Sequence, residues 1–259
     1  MSENLQDSET GPVRTRLFVG EPLAAGATVG LAPNQAHYLR HVLRLAAGDR
    51  VALFNGADGE WLGTVAGFGK GWASVDIVAQ RRAQMAEPDL WLLFAPIKHG
   101  RIDYLVQKAT ELGVSRLAPV MTERTVVARV NTERLQANAV EAAQQTGRLS
   151  VPEVAAPQAL FATLDGWPVE RRVMLADESG AGTPILTALS TVAPGAPWAV
   201  LIGPEGGFAP QELDDLRKLP FVTSVSLGPR LLRADTAAVA ALACWQAALG
   251  DWRDQTPGA

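Results

Sequence analysis

A chain of 259 residues, 47% of them apolar, is long enough for one large domain or two ordinary ones with proper cores. Its formal net charge of −4 taken alone argues against a nucleic-acid-binding protein. The charge is segregated, however: residues 11–50 carry five basic and two acidic groups, and residues 81–148 carry ten and seven. Basic segments can attract phosphates whatever the total charge, although ordinary solvated helix faces give the same pattern. The single cysteine, Cys244, excludes an internal disulfide, and no apolar run approaches membrane-spanning length.

The first third of the chain predicts a small β-rich domain. Residues 1–12 are polar and acidic without the features of a signal peptide, so we expect a disordered leader and a cytoplasmic protein. Over residues 13–80, apolar runs between glycine-rich turns predict strands at 14–19, 50–54, 60–65 and 72–78, and one helix near 34–45. This is the composition of a small β-barrel. The polar, proline-containing residues 81–89 predict a linker.

Residues 90–252 change to alternating strands and helices. Strands are predicted at 90–95, 114–121, 172–176, 198–202 and 222–227. Helices are predicted from 101 to a stop at Gly113, from an N-cap at Thr132 to Gly147, after Pro210, and over 235–249. This alternation indicates an α/β domain, and the pattern alone predicts an open, doubly wound, mostly parallel sheet covered by helices. Residues 253–259 are expected to form a flexible tail.

Two glycine-bearing loops, LIGPEGGF at 201–208 and SLGPRLLRADTAAVAAL at 226–242, follow two of these strands. Glycine allows a backbone to approach a ligand closely and to adopt positive φ angles, and small molecules bind at such strand ends. Neither loop has the spacing of a Walker P-loop or of a dinucleotide fingerprint. Purely structural turns remain an alternative, in which Asp235 caps the last helix and Arg233 is its partner.

The two loops together resemble the paired signature of the RsmE family, the uridine-N3 methyltransferases of small-subunit ribosomal RNA, within the SPOUT superfamily. Supporting segments are HYLRHVLRLAAGDRVALFNGADGEW at 37–61, QKATELGV at 107–114, ERT at 123–125 and EAAQQTGR at 141–148. The resemblance covers nearly the whole chain after the leader. The chain departs from the family pattern in having Asp235 where glutamate is usual, and in lacking a tryptophan near Leu135.

The resemblance implies an N-terminal PUA-like β-barrel that binds RNA, a C-terminal SPOUT α/β domain with a trefoil knot, and a homodimer. It also implies that the two loops hold S-adenosylmethionine. The implied cofactor-binding residues are Ile202, Gly203, Pro204, Glu205, Gly206, Gly207, Leu227, Gly228, Leu231, Leu232 and Thr236. RNA contacts are expected at His37, Arg40, Arg44, Lys98, Arg101, Lys108 and Arg124, of which the first three lie at helical spacing on the predicted helix. An ordinary place on the helix surface suits His37 slightly better than an RNA contact does.

The implied reaction is the methylation of N3 of one uridine in 16S ribosomal RNA, as free RNA or within the small subunit. The donor is already activated, so no metal is expected. Catalysis would require orienting N3 and stabilising the uracil anion, for which Arg233 is the candidate. Asp235 or Glu205 would help to remove the proton, and the base would have to be unstacked to reach the pocket.

Two alternatives remain open. An NAD-dependent α/β oxidoreductase would also use glycine loops, but the G-x-G-x-x-G spacing and its downstream ribose-binding acid are absent. A non-catalytic RNA-binding or ribosome-assembly protein with a methyltransferase-like domain would retain the loops without transferring a methyl group.

Overall fold

A computed structural model of the chain describes residues 12–98 and 100–253, so most of the predicted leader and tail lie outside the described residues. The chain divides into two compact units. Among the described residues, the small unit comprises 12–86 together with 143–150, and the large unit comprises 87–98, 100–142 and 151–253. Within the described residues, none of the helices is long and apolar enough to cross a membrane.

The small unit contains a five-stranded sheet in the order β1-β3-β4-β5-β2. Its strands are β1 (Arg16–Phe18), β2 (Thr28–Leu31), β3 (Arg50–Phe54), β4 (Glu60–Gly69) and β5 (Trp72–Arg82). The β1–β3 pair is parallel and the other pairs are antiparallel. Alternating apolar residues such as Leu17, Val29, Val51 and Val75 form its buried core.

The helix predicted over 34–45 is shorter and less regular than expected. It consists of α1 (Pro33–His37) followed by a π-helical turn (Tyr38–Val42), because the Leu43 N–H donates to the carbonyl of Tyr38, five residues earlier. Arg44 then takes a left-handed conformation with φ of 57° and ends the helix. Arg44 therefore lies beyond the helix, and the expectation that it continues the helical spacing of His37 and Arg40 is wrong.

The large unit is an α/β domain with an eight-stranded, parallel sheet. The order is β11-β13-β10-β12-β6-β7-β8, and β9 pairs with β7. The strands are β6 (Leu90–Phe94), β7 (Arg116–Met121), β8 (Glu153–Val154), β9 (Gln158–Ala159), β10 (Arg172–Ala176), β11 (Thr183–Pro184), β12 (Trp198–Ile202) and β13 (Val222–Ser226). The helices are α2 (Arg101–Glu111), α3 (Thr132–Thr146), α4 (Leu160–Leu164), α5 (Ile185–Ser190), α6 (Pro210–Lys218) and α7 (Ala234–Leu249), and a 3-10 turn follows (Asp251–Arg253). The last four residues of α3, 143–146, belong to the small unit.

Both faces of this sheet are covered, because successive side chains of a strand point in opposite directions. Leu92 and Phe94 pack in one core with residues of α2, α5 and α7, whereas Leu93 packs in a second core with residues of α4 and α6. All five residues of β12 are buried. The central strands are therefore held between two cores, and the loops that follow them emerge at one edge of the sheet.

The sequence predicts where α2 and α3 end, but it misplaces the residue that caps the start of α3. Gly113 and Gly147 have φ of 81° and 76° just beyond α2 and α3, as expected of glycines that end helices. The predicted N-cap of α3 is wrong by one residue. Thr132 is the first helical residue, and the side-chain oxygen of Asn131 accepts the Arg134 N–H at 3.0 Å, so that Asn131 is the cap.

Candidate active site

Three loops meet at the carboxyl ends of the neighbouring strands β13, β10 and β12, and two cavities of about 580 and 600 Å³ lie among them. The first, the acidic cavity, is lined by Ala176, Asp177, Glu178, Ser179, Gly180, Ser226, Leu227, Gly228, Pro229, Arg230, Leu231, Leu232 and Ala237. The second, the arginine cavity, is lined by Arg101, Arg124, Ala176, Glu178, Ile202, Gly203, Pro204, Glu205, Gly206, Gly207, Leu231, Leu232, Arg233, Ala234 and Ala237. Because five residues line both, the cavities adjoin.

The loop after β12 is tightly folded and needs its glycines. Gly207 has φ of 68°, and its N–H donates to the carbonyl of Pro204 at 2.9 Å. A side chain at Gly207 would meet the carboxylate of Glu178, and one at Gly203 would meet the buried ring of Phe208. Close approach of the Phe208 ring favours glycine at position 203, and the left-handed backbone conformation favours it at position 207.

A buried carboxylate joins this loop to the segment after β7. Glu212, in the first turn of α6, accepts the Ala209 N–H at 3.0 Å and the Glu123 N–H at 2.7 Å. The next residue, Arg124, donates to the carbonyl of Gly206 at 3.2 Å. The ERT segment noted in the sequence is thus held against the glycine loop.

The loop after β10 is anchored by Asp177, whose carboxylate is buried. It accepts hydrogen bonds from the Ser179 N–H and hydroxyl at 3.0 and 2.6 Å, from the Ser224 hydroxyl at 2.5 Å, and from Arg217 at 2.6 and 3.1 Å. Burial is the largest single influence and raises the pKa of Asp177, but the hydrogen bonds from Ser179, Ser224 and Arg217 together hold that pKa below its usual value. The carboxylate therefore stays ionised and fixes the loop to β13 and α6.

The loop after β13 leads directly into α7. Gly228 has φ of 106°, and the Leu231 side chain is 82% exposed although it lines both cavities. Arg233 is the N-cap of α7, without a side-chain capping bond, and it lines the arginine cavity. Asp235 lies in the first helical turn, where its carboxylate accepts the Thr236 N–H at 2.9 Å. The expectation that Asp235 caps this helix is therefore wrong.

The structure brings together most of the residues that the sequence suggested for cofactor binding. Residues 202–207 line the arginine cavity, Leu227 and Gly228 line the acidic cavity, and Leu231 and Leu232 line both. Neither Asp235 nor Thr236 is among the residues lining either cavity.

The candidate RNA contacts fall in several places. His37, Arg40 and Arg44 are exposed in the small unit, where the His37 and His41 rings lie 4.8 Å apart. In the large unit, Arg101 and Arg124 line the arginine cavity, and Arg101 lies 3.7 Å from Glu205. Lys98 lines a separate cavity of about 320 Å³. Lys108 forms an ion pair with Glu111 at 2.7 Å.

Sequence reasoning missed the third loop, ADESG at 176–180, which contributes five lining residues to the acidic cavity. The sequence does contain a sign of this loop, because acidic residues and a glycine directly follow the correctly predicted strand at 172–176. No local pattern, however, indicates that Asp177 contacts Arg217 and Ser224, because 40 and 47 residues separate them along the chain.

The chain matches models of two known protein domains. A model described as an RNA methyltransferase domain matches residues 85–246, and one described as an RNA methyltransferase PUA domain matches residues 31–78. A ribosomal RNA small subunit methyltransferase E from Rickettsia conorii is 32% identical over 88% of this chain and 93% of its own length. The chain belongs to this methyltransferase family. A relative of the same name from Synechocystis is also 32% identical, over 88% of this chain and 76% of its own length.

Solved structures support the same fold. A family member from Neisseria gonorrhoeae, bound to S-adenosyl methionine, is 28% identical with a TM-score of 0.82, covering 92% of this chain and 99% of its own. A Legionella pneumophila methyltransferase in complex with the same cofactor is 29% identical with a TM-score of 0.81, covering 92% and 100%. The expectations of a PUA-like domain and of a SPOUT-type methyltransferase domain are confirmed.

Proposed function

We propose that this chain is an S-adenosylmethionine-dependent enzyme that methylates N3 of a specific uridine in 16S ribosomal RNA. The observation that carries the proposal is the pair of adjoining cavities among three loops at the carboxyl ends of parallel strands, in a member of this methyltransferase family. Each cavity has the size of an ordinary small-molecule site, about 300–1,000 Å³. The crevice at strand ends is also where ligands bind in open α/β sheets.

The residues that line the two cavities suit S-adenosylmethionine, the methyl donor. Apolar walls from Ile202, Leu231 and Leu232 suit a purine base, and glycine-bearing turns expose backbone groups for hydrogen bonding. The donor would supply an activated methyl group on a sulfonium, so the chain need only bind the donor and orient the target base. We propose that residues 202–207 and 227–232 do this together with residues 176–180.

Arg233 is the residue proposed to stabilise charge on the target base. It lies at the N-terminus of α7, where the helix dipole adds positive potential, and it lines the arginine cavity with Arg101 and Arg124. A guanidinium at this place can hold a uracil oxygen as negative charge develops on the ring. Of the two acids considered, Glu205 lines the cavity whereas Asp235 does not, so we propose that Glu205 accepts the N3 proton.

We further propose that residues 13–80 bind RNA, with His37, Arg40 and Arg44 contacting phosphates, and that residues 90–252 carry the chemistry. Lys98, Arg101, Lys108 and Arg124 would add contacts from the methyltransferase domain. The linker between these two domains was expected over 81–89, but β5 extends to Arg82, so we propose that the linker is 83–89. The family resemblance further supports a trefoil knot, a homodimer, and action in the cytoplasm on the small ribosomal subunit or its RNA.

The proposal is tested by incubating the protein with small subunits that lack the modification and with methyl-labelled S-adenosylmethionine. We expect label in 16S RNA, recovered as 3-methyluridine after nucleoside digestion. A protein that binds these subunits without transferring label would instead be a non-catalytic assembly factor. Binding of NADH in place of S-adenosylhomocysteine would indicate an oxidoreductase.

A further inference from the structure

Glu178 stands at the junction of the acidic and arginine cavities and lines both. Its neighbour Asp177 is buried and fully engaged by Arg217 and two serines. Glu178 is exposed, and in the described part of the chain no basic side chain forms an ion pair with it. A carboxylate therefore faces the place where the two cavities meet, and no basic side chain of residues 12–98 and 100–253 pairs with its charge.

One backbone hydrogen bond orients this carboxylate. One oxygen, Oε1, accepts the Phe208 N–H at 2.7 Å. The absence of a side chain at Gly207 makes room for the carboxyl group. The second oxygen, Oε2, has no hydrogen-bond partner among residues 12–98 and 100–253, and it is left for a ligand.

Resting on the proposed function, we propose that Glu178 recognises the positive charge of the donor's sulfonium and so distinguishes the methyl donor from its demethylated product. The methyl group passes to N3 of uracil, N3 gives its proton to Glu205, and the bonding pair of the S–CH₃ bond stays on sulfur. Sulfur thereby changes from a cation to a neutral sulfide. The attraction to Glu178 disappears in the same step, which favours exchange of product for fresh donor.

This role makes a definite kinetic prediction. An opposite charge a few ångströms away in a partly exposed site contributes a modest amount, because water screens it. We expect loss of the Glu178 charge to weaken donor binding about ten-fold, equivalent to about 1.4 kcal/mol. The carboxylate stabilises the charged ground state more than the transition state, in which the positive charge is already fading. Its removal should therefore raise KM for the donor and leave kcat unchanged or slightly higher.

Calorimetry on the whole protein tests this with three ligands: S-adenosylmethionine, S-adenosylhomocysteine, and sinefungin, which carries an ammonium group in place of the sulfonium. The variant is Glu178→Gln, whose amide oxygen can still accept the Phe208 N–H. Glu170→Gln, an exposed carboxylate before β10, is the matched control, and thermal melting checks that both variants fold.

We expect Glu178→Gln to weaken binding of the two cationic ligands about ten-fold while binding of S-adenosylhomocysteine changes less than about two-fold. Equal weakening of all three ligands would show that Glu178 only holds the loop, and unchanged binding would remove it from the site; either result overturns the inference alone. A wild-type protein that binds none of the three would overturn the proposed function, and the inference with it.

Discussion

The substitution Asp177→Asn removes the charge that fixes the loop after β10. Asparagine has nearly the same shape but offers one carbonyl oxygen where the carboxylate accepts five hydrogen bonds from three residues. Its amide group would also place a donor against the donors of Arg217 or Ser224. The loss therefore combines a broken ion pair with unsatisfied buried groups.

The expected cost follows from the burial of the partners. Removing one partner of a fully buried ion pair costs about 3–5 kcal/mol. The Asp177 side chain is 0% exposed but that of Arg217 is 31% exposed, so water compensates part of the loss. We expect the free energy of unfolding to fall by about 2–3 kcal/mol, which for a chain of this size lowers Tm by about 5–10 °C.

The sign of the pH dependence follows from the lowered pKa of Asp177, which reflects the hydrogen bonds that outweigh its burial. A depressed pKa stabilises the folded state above the pKa of the unfolded chain, and this stabilisation is lost as pH falls through the folded-state pKa. The difference in Tm between wild type and Asp177→Asn should therefore be full at neutral pH and shrink in acid, below about pH 4.

Thermal unfolding followed by calorimetry at pH 7 and in acid provides the assay. Asp215→Asn is the control, because Asp215 forms an exposed ion pair with Lys218 on α6 and such pairs contribute little. An Asp177→Asn variant as stable as this control at pH 7, or a Tm difference that grows as pH falls, would refute the role assigned to the buried carboxylate.

Three further predictions concern the loops. Gly207→Ala should weaken S-adenosylhomocysteine binding by more than ten-fold (about 1.4 kcal/mol), because the added methyl group would meet the Glu178 carboxylate. In a double-mutant cycle, Glu178→Ala should therefore recover part of that loss, and additive effects of the two substitutions would contradict the contact. Gly195→Ala, with φ of 97° and no neighbour to meet, controls for backbone strain. Arg233→Ala should reduce kcat by more than about 100-fold with Tm unchanged, because it is exposed and makes no capping bond; wild-type turnover would remove it from the mechanism. Glu212→Ala should lower Tm by several degrees and raise KM for the donor, since two backbone N–H groups lose their acceptor, and an unaltered KM would argue against coupling to the glycine loop.

The sequence predicts those parts of the fold whose signal is local. Strand β12 is a continuous apolar run that ends at glycines, and its observed bounds agree with the predicted ones because nothing outside that run decides them. The turn into α6 likewise follows from Pro210 at the first helical position. The two glycine-bearing loops proposed to hold the cofactor could be located for the same reason, since both the strand signal and the glycine signal are contiguous in sequence.

Other features depend on contacts that are distant in sequence or on irregular geometry. Strand β2 has only alternate buried residues over four positions, too few to give a clear pattern, and it was missed. The π-helical turn at Tyr38–Val42 breaks the 3.6-residue period, so Arg44 was misplaced. Asp235 does not line the cavities because it lies in the first turn of α7, and the spacing of residues in the sequence does not show at which residue that helix begins.

The most direct test of the central claim is a crystal structure of the protein with S-adenosylmethionine. We expect the donor to lie across the two cavities, bounded by residues 176–180, 202–207 and 227–232, with its sulfur on the side of Glu178. A donor bound elsewhere on the chain, or crystals that remain without it at saturating concentration, would contradict the account.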